Sequence, residues 1–166
     1  RHNLEELVEA RTKDLKAAQL ASLQCMAMLA EARDSGTGAH VQRTGRYVMA
    51  MADYLASKGI RGREISRNEV ETLTQASPLH DVGKVGVPDR LLLKPGKLTE
   101  EEFEEIKRHA SYGAEILKQA ERELGHIPFL VMAQIIAQSH HERWDGHGYP
   151  TGLKGEDIPL PARIMA

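Results

Sequence analysis

The sequence predicts an all-α protein, and three observations carry that reading. No stretch of useful length alternates apolar and polar residues as a half-buried strand does. Apolar residues recur instead at spacings of three and four, the period of a helix face. Ser66 with Glu69, and Thr99 with Glu102, have the spacing of capping boxes that open helices.

The first helix is expected from about Asn3 to Asp34, a stretch free of proline and glycine. Leu4, Val8, Leu15, Cys25 and Leu29 fall on a four-three spacing, with Arg11, Ala18 and Ser22 in the same register. That seam suits a weak parallel two-stranded coiled coil, and hence a homodimer. A single amphipathic helix packed on its own domain is the alternative. Ser35-Gly36-Thr37-Gly38 breaks the helix, and a second should run from about Ala39 to Lys58, burying Tyr47, Val48, Met51 and Leu55. Gly59 ends it and Gly62 marks the connection. The Ser66 box opens a helix that reaches His80-Asp81, with Pro78 bending its last turn. Val85 to Gly96 reads as a loop with a short turn at Pro88. The Thr99 box opens the next helix, with Leu98 and Phe103 as its hydrophobic staple, and it should continue to about Glu123. Gly125 to Pro128 separates it from a helix ending near His141. Trp144 to Pro159 holds four glycines and two prolines, so a structured loop is expected, followed by a last helix from about Pro161.

The 166 residues, 41% apolar and 28% charged, suit one compact domain plus an appended element. A net charge of -2 gives no reason to expect a nucleic-acid polymer or a basic membrane patch. No apolar run approaches the ~20 residues that span a bilayer. A single cysteine, Cys25, excludes an internal disulfide and fits a reducing cytoplasm. The chain starts at Arg1 without a signal-peptide pattern and reads as a cytoplasmic piece of something longer. Residues 1–30 are expected to be a linker helix and residues 31–166 the functional domain.

Histidine is the informative residue, with eight in the chain. His40 starts the second helix. His80 is paired with Asp81. His109 shares a face with Ile106, Gly113 and Ile116, which points it inward. His140-His141 closes a helix containing Ile135, Ile136 and Ala137. Buried imidazoles in such number are costly without something to satisfy them. Imidazole nitrogen with carboxylate oxygen suits Mn, Fe, Co, Ni or Zn rather than Ca. A carboxylate can bridge two cations, and metals roughly 3.5–4 Å apart can share a hydroxide for attack at phosphorus. The chemistry implied is phosphoester hydrolysis. Lys84, one turn beyond the pair, reads equally as a phosphate contact or a surface lysine. His2, His126 and His147 read as ordinary exposed or loop residues.

Several segments resemble a known family in order and spacing. They are Arg33-Asp34, Thr37-Gly38, His40 and Arg43; His80-Asp81-Val82-Gly83-Lys84; Pro88-Asp89; and Lys94 to Thr99. His109 with Gly113, the run His140 to Pro150, and Ala162-Arg163-Ile164 complete the set. Together they resemble the HD-GYP domain, a helical bundle whose usual activity is metal-dependent hydrolysis of cyclic di-GMP. The resemblance implies one metal on His40, His80 and Asp81, with Asp81 bridging to a second on His109, His140 and His141. It implies Asp81 and Lys84 as catalytic, and Lys84, Tyr149 and Arg163 as substrate-binding. The product would be pGpG, GMP or both. The family's further aspartate ligand falls beyond Ala166. The position of a third-metal glutamate in some members is Gly36, so two ions are expected. The spacing makes neither Glu31 nor Asp34 a substitute ligand. The first helix resembles linkers that join receiver or sensor domains to such outputs, so the parent is expected to be a response regulator. The alternative function is a catalytically idle receptor for cyclic di-GMP or for a partner protein. Another HD-type hydrolase, acting on a nucleotide or a different cyclic dinucleotide, is the rival within enzymes.

Overall fold

The computed structural model describes residues 2–33, 39–59 and 65–166, with only the backbone described at positions 2, 3, 16 and 39. Asp34, the Ser35-Gly36-Thr37-Gly38 break and the connection at Gly62 lie outside the described residues. Among those described, eight α-helices and three short 3-10 turns make up the regular structure, and no strand occurs. The helices are α1 (His2–Ala32), α2 (Ala39–Lys58), α3 (Arg67–Ala76), α4 (Asp89–Leu92), α5 (Glu100–Lys107), α6 (His109–Leu124), α7 (Pro128–Ser139) and α8 (Leu160–Met165). None is long and apolar enough to cross a membrane.

Both capping boxes form as the sequence predicts. Ser66 accepts from the Glu69 amide, Thr99 accepts from the Glu102 amide, and each glutamate reaches back to the cap amide. Pro78 lies in a 3-10 turn, Ser77–Leu79, that tightens the end of α3 and delivers His80. The core is made where α6 runs along α7, and α3 packs on α2 and α7. Ile136, Ala133 and Ala137 of α7 are fully buried there, beside Leu73 of α3 and Leu117 of α6.

Three local expectations need correcting. The inward stripe of α2 is Val41, Val48 and Ala52, while Tyr47 and Met51 are 65% and 43% exposed. Size misled there: small side chains let α2 approach its neighbours closely, and the large ones are turned out. The helix expected to run from Thr99 to Glu123 is broken at Arg108. There the chain takes the tighter Arg108–Glu105 main-chain bond, the His109 ring bonds the Ile106 carbonyl, and Gly83 presses against the new helix start. On α6 the inward residues are His109, Ala110, Gly113, Ala114 and Leu117, whereas Ile116 is 45% exposed.

Candidate metal centre

The site is assembled by a close backbone contact. A Cβ on Gly83 would sit 1.9 Å from the His109 carbonyl oxygen and 2.3 Å from the Gly113 amide. Only glycine permits that approach, and it sets the 3-10 turn Val82–Gly86 against the first turn of α6. Asp81 precedes this turn, and His109 begins α6, so the contact brings the two together. The end of α7 adds His140 and His141 from the far side.

Four side chains converge: one ligand atom each from Asp81, His109, His140 and His141 lies within 4.8 Å of the others. Asp81 Oδ1 is 3.2 Å from His109 Nε2 and 3.6 Å from His140 Nε2. Asp81 Oδ2 is 3.1 Å from His80 Nε2 and 2.9 Å from Lys84 Nζ. His80, Asp81, His109 and His140 are all buried. His40 stands at the rim, its side chain 49% exposed and its ring centroid 6.1 Å from that of His80.

The main chain dictates which ring nitrogens face inward. Nδ1 of His80, His109 and His140 lies 3.0, 2.8 and 3.0 Å from the carbonyls of Ser77, Ile106 and Ala137. A carbonyl can only accept, so each Nδ1 carries the proton, and in the neutral ring Nε2 presents a lone pair. Burial pushes His140 below its usual value and His141 down to about 3, so both rings are neutral at pH 7. Asp81 lies 2.9 Å from the Lys84 ammonium, which favours its carboxylate form. An anion and several nitrogen lone pairs therefore confront one another. His109 Nε2 and His140 Nε2 are 3.3 Å apart, and Asp81 Oδ1 is buried without a hydrogen-bond partner. The donor set fits a borderline transition-metal cation, with the Nδ1–carbonyl bonds as the outer support such ligands need.

Around this cluster the structure assigns positions to the remaining expected residues. Tyr149 stacks on His141 with centroids 4.5 Å apart, and burial, reinforced by Asp81, pushes its phenol up to about 12. Arg163 lines a groove of about 470 Å³ beside Met51, Tyr54 and Leu55 of α2, and its buried Nε has no hydrogen-bond partner among the described residues. His126 and His147 are exposed at 75% and 85%.

Two supporting residues went unassigned in the sequence. Glu142 is 2% exposed, and its carboxylate accepts from the amides of Thr151 (2.8 Å) and Leu153 (2.9 Å). It thereby ties the glycine-rich loop to the peptide carrying His140 and His141. Gly148 completes the tie, since a Cβ there would meet Arg143 N at 2.4 Å. Arg33, at the end of α1, donates to Asp89 Oδ1 (2.7 Å) and to the carbonyl of Val85 (2.6 Å), with longer bonds to those of Lys84 and Val87. It clamps the turn that bears Lys84. A carboxylate beside two histidines was a usable signal for Glu142; Arg33 stood out only through the family resemblance, which gave it no role.

Residues 10–166 match the HD domain family. The chain is 49% identical over 159 residues to a cyclic di-GMP phosphodiesterase of Vibrio cholerae, covering 96% of this chain and 32% of that protein. It is 40% identical over 164 residues to the cyclic di-GMP phosphodiesterase response regulator RpfG of Xanthomonas campestris, covering 99% and 40%. A 3'3'-cGAMP-specific phosphodiesterase 2 of Vibrio cholerae is 41% identical over 153 residues, covering 92% and 27%. The chain thus spans roughly a third of the length of these curated relatives. The converging His-Asp cluster, the Gly148-Tyr149-Pro150 loop tied to it and these matches agree: the chain belongs to the HD domain family, in its HD-GYP group.

Proposed function

We propose that this domain is a metal-dependent phosphodiesterase that hydrolyses cyclic di-GMP to pGpG, GMP or both. The observation that carries the reading is the orphaned Asp81 Oδ1, ringed by imidazole nitrogens that cannot all donate to it. His40, His80 and Asp81 would hold one divalent transition-metal ion, of Fe, Mn, Ni, Co or Zn, and His109, His140 and His141 would hold a second, with Asp81 serving both. Bound there, such ions supply electrophilic stabilisation of phosphate oxygens and a water acidic enough to ionise near neutral pH. Lys84, held 2.9 Å from Asp81, is close enough to the cluster to meet a non-bridging phosphate oxygen as charge builds on it. Tyr149 remains a phenol at neutral pH and walls the site over His141 without adding negative charge. Names of the relatives and the donor set support this reading; the match to a 3'3'-cGAMP-specific enzyme supports a second cyclic dinucleotide as competitor.

The domain acts as the output module of a longer bacterial signalling protein. α1 links it to a receiver or sensor domain and pairs with the same helix of a second copy. The response-regulator relative and the exposed Leu4, Val8 and Leu15 support that arrangement. Elemental analysis of the full-length protein, paired with turnover of cyclic di-GMP and 3'3'-cGAMP at equal concentration, tests the function. About two transition-metal ions per chain and preferential loss of cyclic di-GMP are the expected results. Binding of cyclic di-GMP without turnover by metal-loaded protein would make it a receptor instead.

A further inference from the structure

Glu31 lies in the last turn of α1 and is 4% exposed. Its Oε2 is buried and has no hydrogen-bond partner among the described residues. Its Oε1 lies 3.7 Å from His40 Nε2, too long for a hydrogen bond. Asp81 shows the same pair of features: an orphaned Oδ1, and a distance of 3.6 Å to His140 Nε2. Two buried carboxylates therefore each keep one orphaned oxygen and each lie against imidazole nitrogen, but only Asp81 also has a cation, Lys84, at 2.9 Å. Ligands that bind one cation at about 2.0–2.2 Å stand roughly 3–4 Å from each other, and both separations fall in that range.

The two carboxylates serve different ends of the histidine row. The group of Asp81, His109, His140 and His141 is already close enough to share one ion. His80 lies on the other side of His140, with ring centroids 5.2 Å apart, and His40 lies 6.1 Å beyond His80. Glu31 stands beside His40, at the end of the row away from His109 and His141. We propose that Glu31 is a ligand of the ion held by His40, His80 and Asp81, an assignment that rests on the two-ion reading above. The linker helix then supplies part of the metal site itself. Axial movement or rotation of α1 changes the coordination of that ion without any other element having to move.

The test compares full-length wild-type protein with Glu31→Gln and His40→Ala, each stripped of metal and titrated with Mn²⁺. Wild type should take up two ions. Glu31→Gln should keep one tight ion and bind the other at least about tenfold more weakly, as loss of a metal-site partner does. His40→Ala should weaken the same ion, and the double variant should lose no further stoichiometry. Metal-free Glu31→Gln should melt at or above the wild-type temperature, because a buried unmatched charge has been removed. Two ions at wild-type affinity in Glu31→Gln would overturn the assignment while leaving the two-ion site standing. A metal-free melting temperature well below wild type would make Glu31 a structural residue and overturn it too. Wild type that binds no ion would sink both readings together.

Discussion

The two halves of α1 share one uninterrupted helix and little else. In the first half Leu4, Val8 and Leu15 are 64%, 57% and 72% exposed, although they fall on a regular apolar seam. In the second half the seam is still exposed at Leu29 (70%), but Ala27, Ala30 and Glu31 are buried, and Arg33 just past the helix grips the turn carrying Lys84. The HD domain match begins at residue 10, well inside the helix. A helix boundary and a functional boundary therefore need not coincide. What distinguishes the halves is the neighbour each meets, because helix propensity and seam residues are similar along the whole length.

Substitutions at the inner end and beyond it should be far more damaging than those on the outer half. Asp81→Ala should remove the shared carboxylate and lower turnover by about 10³-fold or more, with loss of metal read by elemental analysis; full activity with normal metal content would refute its bridging place. Gly83→Ala should be next, since its new methyl group would enter the His109 carbonyl. We expect a loss of about 3 kcal/mol in denaturant unfolding, from overpacking against backbone. Arg33→Ala should leave metal content intact yet raise KM about tenfold by freeing the Lys84 turn, and Arg33→Lys should recover only part, because a lysine cannot form the fork. Unchanged KM would make the clamp dispensable.

The outer half should respond by association alone. Leu15→Asp should reduce self-association in sedimentation while leaving the melting transition of the domain within about 0.5 kcal/mol. A stability loss comparable to that of Gly83→Ala would show that this half packs on its own domain. The smallest effect should come from Tyr149. Its phenol is raised to about 12 in the fold, above its unfolded value, so its contribution is complete below about pH 10 and is lost as pH climbs towards 12. Tyr149→Phe should flatten that alkaline loss in metal-free protein, and an unchanged slope would remove the tyrosine as its source.

Much of the cluster was legible because its chemistry is local. His80-Asp81, His140-His141 and the capping boxes are dense signals at short spacing, and each lies where a helix ends. Glu31 was not legible as a partner of His40, because a lone glutamate in a charged helix is ordinary and their approach depends on how the end of α1 meets the start of α2. The break at Arg108 was hidden for a similar reason: it depends on Gly83, distant in sequence, pressing on the helix start. Tyr47, Met51 and Ile116 misled because periodicity reports a face, while packing distance decides which neighbouring face turns in. Arg163 was assigned by motif alone, and its groove with Tyr54 depends on how α8 lies on α2.

Glu142 has one more consequence. Its two acceptor oxygens hold the backbone of Thr151 and Leu153, so swinging the loop outward strands a sequestered anion. The wall over the cluster is thus braced from behind and stiff before any guest arrives. A guest must conform to that wall, and selectivity falls to whichever side of the cleft remains free to adjust.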